Sequence, residues 1–281
     1  MLQSVGSHYK VKTMRTFFTI RYQLVFSVLL VILVFASCKK KSDETISIDP
    51  STSLIKTIIQ KNTSGVVFLR RDYQYDNQRR IISQKLSYPE DSAEFTYKYE
   101  YLPSLVIVKF LLNDTILKNK SIYHLNILGL ATEVTHFAYF TNLDSITGPN
   151  SLYQYNSEGY MTEMKDFNKD SSLSQSYTSQ IIGWNVSSLV LYRPSWGPDV
   201  ITETYTYIPN SINSAGNSNM GMPFLGKSNT NLIEASVLTS AVVKTATFTY
   251  SYDTFNRVLT TKITGGTMVT ISPSELSYTY Y

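Results

Sequence analysis

Apolar and polar residues alternate with a period of two along most of the chain between residues 53 and 281. The alternating segments are rich in Tyr, Thr, Val and Ile, a pattern typical of half-buried antiparallel strands. No convincing amphipathic helix longer than about two turns is indicated there. The pattern therefore predicts an all-β domain, an antiparallel β-meander of about 14–16 strands that forms a barrel-like or strongly curved sheet.

A Tyr-x-Tyr motif recurs along this meander. Its occurrences begin at Tyr73, Tyr97 (continuing to Tyr101), Tyr153, Tyr205, Tyr250 and Tyr278. Successive strand residues point to opposite faces, so the tyrosines line one face of the sheet and the polar residues between them line the other. A tyrosine ring supplies a large apolar surface, while its hydroxyl can find a partner at the sheet margin.

Three of these motifs extend into a longer unit. The three units read YQYDNQRRIISQK from Tyr73, YQYNSEGYMTEMK from Tyr153 and YSYDTFNRVLTTK from Tyr250. Asp or Asn after the second tyrosine is typical of a turn, because its side chain accepts hydrogen bonds from nearby backbone N–H groups. Each unit is therefore predicted to be a strand–turn–strand hairpin.

Particular residues of these turns have predicted roles. Gly159 in the middle unit, with Asn77 or Asn256 in the others, is expected to supply the positive φ that a short hairpin needs. Arg80 and Arg257, just beyond the turns, are placed to pair with the turn aspartates. Those aspartates are Asp76 and Asp253.

One long irregular stretch interrupts the meander. It runs from residue 209 to residue 230 and is rich in Asn, Ser and Gly. A connection of this length inside a compact domain is expected to be either functional or mobile.

The N-terminal segment has the features of an export signal. Residues 1–23 contain four basic residues and no acidic one, and residues 24–36, LVFSVLLVILVFA, are almost entirely apolar. This run fits the apolar part of a signal peptide and is shorter than the ~18–20 residues that a spanning helix needs. Met14 is an alternative start that gives a more ordinary basic region.

A lone cysteine follows the apolar run directly. The sequence Ala36-Ser37-Cys38 resembles the bacterial lipobox, although Phe35 stands where leucine is preferred. The resemblance implies that Cys38 carries acyl chains such as palmitate and becomes the mature N-terminus. It implies a signal peptide over 1–37, a lipidated Cys and polar tether over 38–52, and a single β-meander domain over 53–281. Multiple acyl chains give stable membrane anchoring.

The charge balance and the cysteine count exclude several classes. One cysteine rules out a disulfide framework, an iron–sulfur cluster and a Cys-rich zinc site. The formal charge of +4 comes from 25 basic and 21 acidic residues. Removal of residues 1–37 takes away four basic groups and leaves the two signs equal, so no nucleic-acid partner is expected.

The lipobox and the repeated hairpin point to a known family when a further motif is added. That motif is Phe224-Leu225-Gly226-Lys227-Ser228-Asn229 followed by Asn231-Leu232-Ile233. Together these features resemble a large family of Bacteroidota lipoproteins, a domain of unknown function described as porin-like in fold. The hairpins are also similar to the YD repeats of secreted bacterial wrapping proteins. The resemblance implies an exported barrel-like meander and brings no catalytic residue.

Candidate catalytic and metal-binding residues are few. His124 and His136 are expected on adjacent strands, where they either form a metal site with Glu133 or are ordinary strand histidines. The second interpretation is favoured, and no metal or cofactor is expected. The chain has no Gly-x-Ser-x-Gly nucleophile elbow and no glycine-rich phosphate loop. Catalysis is therefore not the leading expectation.

Aromatic residues give the better indication of binding. Trp184 and Trp196, with Tyr192 beside a Pro/Gly-rich loop, are candidates for a carbohydrate-stacking platform. The competing interpretation is that each tryptophan caps an end of the barrel core. Three short Asp-Ser/Thr-apolar triplets also resemble Bacteroidota O-glycosylation sequons. Their acceptor residues are Ser92, Thr115 and Ser145.

Three functional hypotheses follow from these features. The leading one is a non-enzymatic cell-envelope lipoprotein, structural or ligand-binding, that meets a glycan or another envelope protein and is held at the outer membrane by its lipid. A polysaccharide-acting hydrolase or lyase is the first alternative. An integral outer-membrane barrel is the second. Against it, the face shared with Tyr281 carries the polar residues Thr279, Ser277 and Glu275, not the apolar residues of a membrane strand.

Overall fold

The computed structural model describes residues 49–89, 94–139, 147–197, 199–240, 243–265 and 274–281. Within these ranges the chain forms sixteen β-strands. Their bounds are β1 Ile55–Lys61, β2 Val67–Tyr75, β3 Ile81–Ser87, β4 Glu94–Leu102, β5 Leu105–Leu112, β6 Ile116–Leu125, β7 Ala131–Ala138, β8 Thr147–Tyr155, β9 Met161–Phe167, β10 Leu173–Ile182, β11 Asn185–Tyr192, β12 Val200–Tyr207, β13 Ile233–Thr239, β14 Lys244–Tyr252, β15 Val258–Gly265 and β16 Ser274–Tyr280.

The strands form one closed antiparallel barrel. Each strand pairs with its neighbours in sequence, and β1 pairs with β16 to close the sheet. The predicted all-β meander is confirmed, and of the closed barrel and the open curved sheet the structure has the closed barrel. Among the described residues, no helix is long and apolar enough to cross a membrane.

Connections in a meander alternate between the two ends of the barrel. We call the end that carries the turns at residues 76–80, 126–130, 156–160 and 253–257 the plug end, and the opposite end the far end. The long β12–β13 connection, residues 208–232, also lies at the plug end and is called the plug. The two ends of the barrel therefore differ, because the plug lies at one of them.

The hairpin turns share one construction. In the first, Asp76 Oδ1 accepts hydrogen bonds from the backbone N–H groups of Gln78 and Arg80, each at 2.9 Å. A residue with positive φ completes the turn, and the strand pairing shifts register beside it. Asn62, Asn126, Asn156 and Asp253 make the same pair of side-chain hydrogen bonds.

The predicted roles in these turns are confirmed with one exception. Gly159 and Asn256 have positive φ, as predicted, but in the first unit Arg79 takes this conformation (φ 65°) and Asn77 does not. The turn needs positive φ at its fourth position, and in the first unit that position is Arg79. The prediction that Asn77 fills this role is therefore wrong.

The predicted turn ion pairs also form. Arg80 Nε lies 2.8 Å from Asp76 Oδ2, and Arg257 Nε lies 2.7 Å from Asp253 Oδ2. The guanidinium of Arg80 stacks over the Tyr101 ring of the next strand, and that of Arg257 over Tyr280 in the same way. A cation over an aromatic face adds about 0.5–1 kcal/mol, so each turn is coupled to the neighbouring strand.

Most of the Tyr-x-Tyr side chains point into the barrel. Tyr73 and Tyr278 belong to a buried cluster with Ile55, Ile81 and Val258. Burial raises the pKa of Tyr73 to about 12, so its hydroxyl remains protonated at neutral pH. Several tyrosines near the plug end donate to a backbone carbonyl of the preceding strand at 2.6–2.8 Å, namely Tyr75, Tyr207, Tyr250 and Tyr280.

The plug crosses the barrel mouth and packs into it. Leu232 joins the buried cluster around Tyr73, and Phe224 packs with Val106, Val108 and Ala131 on the other side. The irregular stretch predicted to be functional or mobile therefore contributes Phe224 to the core, and the plug as a whole also contributes Leu232.

Each of the three long hairpin units holds the plug through a hydrogen bond of its backbone. Ile81 N donates to Gly221 O at 2.9 Å, Lys227 N donates to Gly159 O at 2.9 Å, and Val258 N donates to Ser214 Oγ at 2.9 Å. These contacts belong to β2–β3, β8–β9 and β14–β15, which are spread around the barrel. The repetition in the sequence thus corresponds to three attachment points.

Asn219 fixes the plug to the start of the barrel. Its buried side chain donates to the carbonyls of Pro50, Ser51 and Ser53 at 2.7–3.2 Å. Pro50–Thr52 form a short 3-10 helix, which lies within the segment that the sequence predicted as tether. The folded unit consequently includes these residues.

The outer wall of the barrel carries paired charges. On β2, Arg70 and Asp72 alternate with the inward-facing Leu69 and Tyr73 and are therefore outward. Five ion pairs of 2.7–3.4 Å lie on outward strand positions: Lys61–Glu275, Arg70–Asp72, Lys85–Glu94, Lys109–Glu100 and Lys165–Glu163. Exposed pairs contribute only about 0–1 kcal/mol each to the free energy of unfolding. These pairs therefore indicate the environment that the wall faces, and they stabilise the barrel little.

Candidate functional site in the barrel lumen

Three cavities lie below the plug in the part of the barrel that the structure describes. The first has a volume of about 450 Å³ and lies between the plug and the strands β1, β2 and β13–β16. The second, about 360 Å³, is lined by Tyr97, Phe110 and Ser121, and the third, about 370 Å³, is lined by Ser151 and Asp166. His136 lines both of the smaller cavities, which are therefore neighbours.

Asp166 organises a polar cluster in the third cavity. It accepts a hydrogen bond from Ser151 Oγ at 2.5 Å and another from Gln175 Nε2 at 2.6 Å. Gln175 Oε1 in turn accepts from Arg193 Nε at 2.9 Å. We call Ser151, Asp166, Gln175 and Arg193 the Asp166 cluster. Asp166, Gln175 and Arg193 lie at or near strand termini of the far end, and Ser151 pairs with Asp166 from the middle of β8.

His136 stands at the boundary of the two smaller cavities. Its Nδ1 lies 2.8 Å from Ser121 Oγ on the paired strand. Burial lowers the pKa of His136, with Asp166 acting in the opposite direction, so the imidazole is neutral at neutral pH. The far half of the lumen therefore offers hydroxyl, imidazole, amide and carboxylate groups beside the aromatic rings of Tyr97 and Phe110.

The two histidines do not face each other. His124 is paired with Glu133, whereas His136 is paired with Ser121. His136 is three positions from Glu133, so the alternation of strand side chains puts it on the opposite face of the sheet. The metal-site alternative for His124, His136 and Glu133 is therefore wrong. In the described part of the chain, no group of three or more His, Cys, Asp or Glu residues could hold a metal ion.

A second lumen-facing carboxylate, Glu203 on β12, is only 1% exposed. Ser236 and Tyr205 lie near the carboxylate and act to lower its pKa. Neither carboxylate oxygen, however, makes a hydrogen bond of good geometry with the described residues. Burial raises the pKa of Glu203. An unsatisfied buried carboxylate is a cost to the fold.

Replacement of Glu203 by glutamine is expected to stabilise the barrel at high pH. The pKa of Glu203 is higher in the folded protein than in the unfolded chain, where it is near 4.5. The protonated side chain therefore contributes its full share to the free energy of unfolding below that unfolded-state pKa, and this share is lost as the pH rises through the folded-state pKa. Glutamine stays neutral, so Glu203→Gln should gain on the order of 1 kcal/mol at pH 8 and nothing at pH 4. Urea unfolding at several pH values measures this difference.

The matched control for this variant is Glu234→Gln, which neutralises an exposed carboxylate on β13. It should change the stability little at any pH. If Glu203→Gln shows the same pH dependence as the wild-type protein, Glu203 does not have the raised pKa assigned to it.

The predicted aromatic platform is divided between the two ends. Trp184 lies in the β10–β11 turn at the plug end, is 60% exposed and accepts a hydrogen bond from Thr230 of the plug through its carbonyl. Tyr192 ends β11 at the far end and is half-buried. Pro194–Trp196 form a short 3-10 helix at the far end, and the side chain of Trp196 lies outside the described residues. The structure does not bring Trp184 and Tyr192 together, because the whole of β11 separates them.

The modification sites are described in part. Thr115 is exposed in the β5–β6 turn at the far end, where its hydroxyl donates to Asn113 O at 3.2 Å. Ser92, Ser145 and the lipidation residue Cys38 lie outside the described residues. Glycosylation and lipidation therefore stay predictions.

Comparisons with known proteins define the class of fold. No family model matches the chain, and no curated protein matches it. Among solved structures, the chain is similar to a porin-like protein from Bacteroides uniformis ATCC 8492, with a TM-score of 0.59 and 15% sequence identity over 82% of this chain and 99% of that one. The protein thus has the fold of a porin-like β-barrel, which the sequence resemblance implied. Membership of the Bacteroidota lipoprotein family stays a prediction.

Proposed function

We propose that this protein is an exported cell-envelope lipoprotein, anchored at Cys38, whose barrel lumen binds a glycan that enters from the far end. The observation that carries the proposal is the far half of the lumen, where Asp166 with its partners lines one cavity, Tyr97 and Phe110 line another, and His136 lines both. Ligand pockets combine an apolar or aromatic lining with a few convergent polar groups. Because the plug occupies the other end, the far end is the entrance in this proposal.

The outer wall supports an anchored barrel over an inserted one. An outer-membrane barrel presents an outward apolar band about 25 Å tall to the lipid. The five outward ion pairs of this barrel stand on strand positions that such a band would cover. Charged side chains on the lipid face cost about 2–4 kcal/mol each near the midplane, so the integral-barrel alternative is disfavoured.

The carboxylates give little support to the hydrolase alternative. Glycoside hydrolysis uses two carboxyl groups about 5–9.5 Å apart. On the described strands, Asp166 on β9 and Glu203 on β12 are the acidic residues that face the lumen. Three strand steps of about 4.8 Å place their backbones roughly 14 Å apart around the barrel, and Asp166 lines the third cavity whereas Glu203 is not among its lining residues. Binding without catalysis is therefore the function we infer.

A glycan array probed with the full-length protein in non-ionic detergent tests the proposal. We expect binding to defined glycans, and a loss of roughly tenfold in affinity for Asp166→Asn and for Tyr97→Ala, because each removes one lumenal contact. Trp184→Ala, at the plug end, is the matched control and should leave the affinity unchanged. Trp196→Ala should weaken binding if the predicted aromatic contact lies at the entrance.

Two results would contradict the proposal. One is the absence of binding to any glycan by a protein that unfolds cooperatively. The other is a loss of binding confined to Trp184→Ala, which would place the ligand outside the lumen at the plug end.

A further inference from the structure

The largest of the three lumenal cavities contains an arginine without an acidic partner. Arg71 on β2 has the same orientation as the buried Leu69 and Tyr73, and it lines the 450 Å³ cavity beneath the plug. Its one side-chain hydrogen bond among the described residues is from Nη1 to Gln60 Oε1, at 3.4 Å. No carboxylate of the described chain lies within ion-pair distance of it.

The other arginines show how unusual this position is. Arg70, the adjacent residue on the outer face, binds both carboxylate oxygens of Asp72, at 2.7 and 2.8 Å. Arg80 and Arg257 each bind the aspartate of their own turn. A guanidinium carries five N–H donors in a planar fork suited to carboxylate, sulfate or phosphate oxygens. Arg71 differs from these three in facing the lumen and in having no carboxylate partner among the described residues.

The groups around Arg71 define the kind of ligand that would fit. Gln60, Asn229, Thr261 and Tyr278 add polar groups to the cavity, and Phe248 supplies an aromatic wall. The positive charge of Arg71 lowers the pKa of the nearby tyrosines Tyr73 and Tyr278 against the larger effect of burial, so the cation acts directly on this part of the lumen. The volume of the cavity is within the range of small-ligand pockets.

We propose that the Arg71 cavity binds the anionic group of an acidic saccharide, a carboxylate or a sulfate ester, through a charge-assisted pair with the guanidinium. The pair would be stronger than a neutral hydrogen bond because one face of the ligand is shielded from water by the plug and Phe248. This inference rests on the proposed glycan-binding function and specifies the class of glycan. The carboxylate and the sulfate share the same recognition chemistry, and they are distinguished by the probes.

The test uses the full-length protein in non-ionic detergent and calorimetric titration with matched oligosaccharides. The probes are a neutral oligosaccharide, its uronate analogue and its sulfated analogue, all of one length. We expect at least one acidic probe to bind at least about tenfold more tightly than the neutral one. Arg71→Gln should remove that preference, and Arg71→Lys should retain part of it because the charge remains.

Arg70→Gln is the matched control, since it removes the neighbouring arginine from the outer face. It should leave every affinity unchanged. If the neutral and acidic probes bind equally, or if Arg71→Gln binds the acidic probes as the wild-type protein does, the inference is wrong while the proposed function stands. If no probe and no arrayed glycan binds, both are wrong. Cooperative urea unfolding of each variant confirms that a loss of binding is not a loss of fold.

Discussion

Alanine at position 221 is expected to destabilise the folded protein by about 2–5 kcal/mol. Gly221 has a φ of 68°, which costs any residue with a Cβ about 1–2 kcal/mol. An added Cβ would lie 2.6 Å from the Tyr75 ring and 2.7 Å from Ile81 N, closer than atoms in contact can stand. Because Ile81 N also donates to Gly221 O, the plug cannot shift without losing that hydrogen bond.

The control variant Gly129→Ala introduces the same backbone strain as Gly221→Ala without the close contacts. Gly129 has a similar φ of 74° in an exposed turn, and an added Cβ there meets nothing within 4 Å. Its cost should be about 1 kcal/mol. Urea unfolding, monitored by circular dichroism, gives the free energy of unfolding of each variant, and the two values are compared when the m-values are equal. Equal losses would mean that the plug is not seated against Tyr75 and Ile81.

Cys38→Ala is expected to abolish acyl labelling and to release the protein from the membrane fraction. The thiol of Cys38 is the sole attachment point that the sequence offers for a lipid, because the chain has one cysteine. Several acyl chains give stable anchoring whereas even one chain gives only marginal membrane binding, so loss of all of them should release the protein almost completely.

Labelling of cells with an alkyne fatty acid, followed by fractionation, measures both effects. Ser42→Ala, four residues further along the predicted tether, is the control and should be labelled and retained as the wild-type protein is. Continued acyl labelling of Cys38→Ala would show that this cysteine is not the lipidated residue.

The strands and the turns could be predicted because their signals are local. The Tyr-x-Tyr alternation specifies which residues share a face, and Asp76 or Asn156 caps its own turn through atoms two and four residues away. The error at Asn77 has a local reason too. Arg79 occupies the position that requires positive φ, and arginine gives no signal for that conformation, whereas Gly159 does.

The role of the plug could not be predicted from its composition. Asn219 is held by carbonyls more than 160 residues away, and Gly221 by β3. Such contacts exist only once the barrel has brought distant strands together. A stretch rich in Asn, Ser and Gly has the same local pattern whether it is mobile or pinned.

The lumenal site was missed for a related reason. Arg71 is two positions before Tyr73, so its inward orientation could have been read from the alternation. The alternation cannot show that no carboxylate lies near Arg71. The residues that share its cavity, such as Gln60, Thr261 and Tyr278, come from other strands, and two of these strands are far from β2 in the chain. His124 and His136 show the same limit, since the register of β6 against β7 decides which partner each receives.

The pairing of β1 with β16 makes this barrel a high-contact-order fold. Lys61 and Glu275, which face each other across that seam, are 214 residues apart. Non-local pairing of this kind slows folding, because the entropy of closing the chain is lost before the contact forms. Until β16 arrives, β1 presents an unpaired edge that a second unfinished chain can occupy. The cylinder is therefore completed by the last strand of the described chain, and incomplete chains are prone to aggregate through the seam.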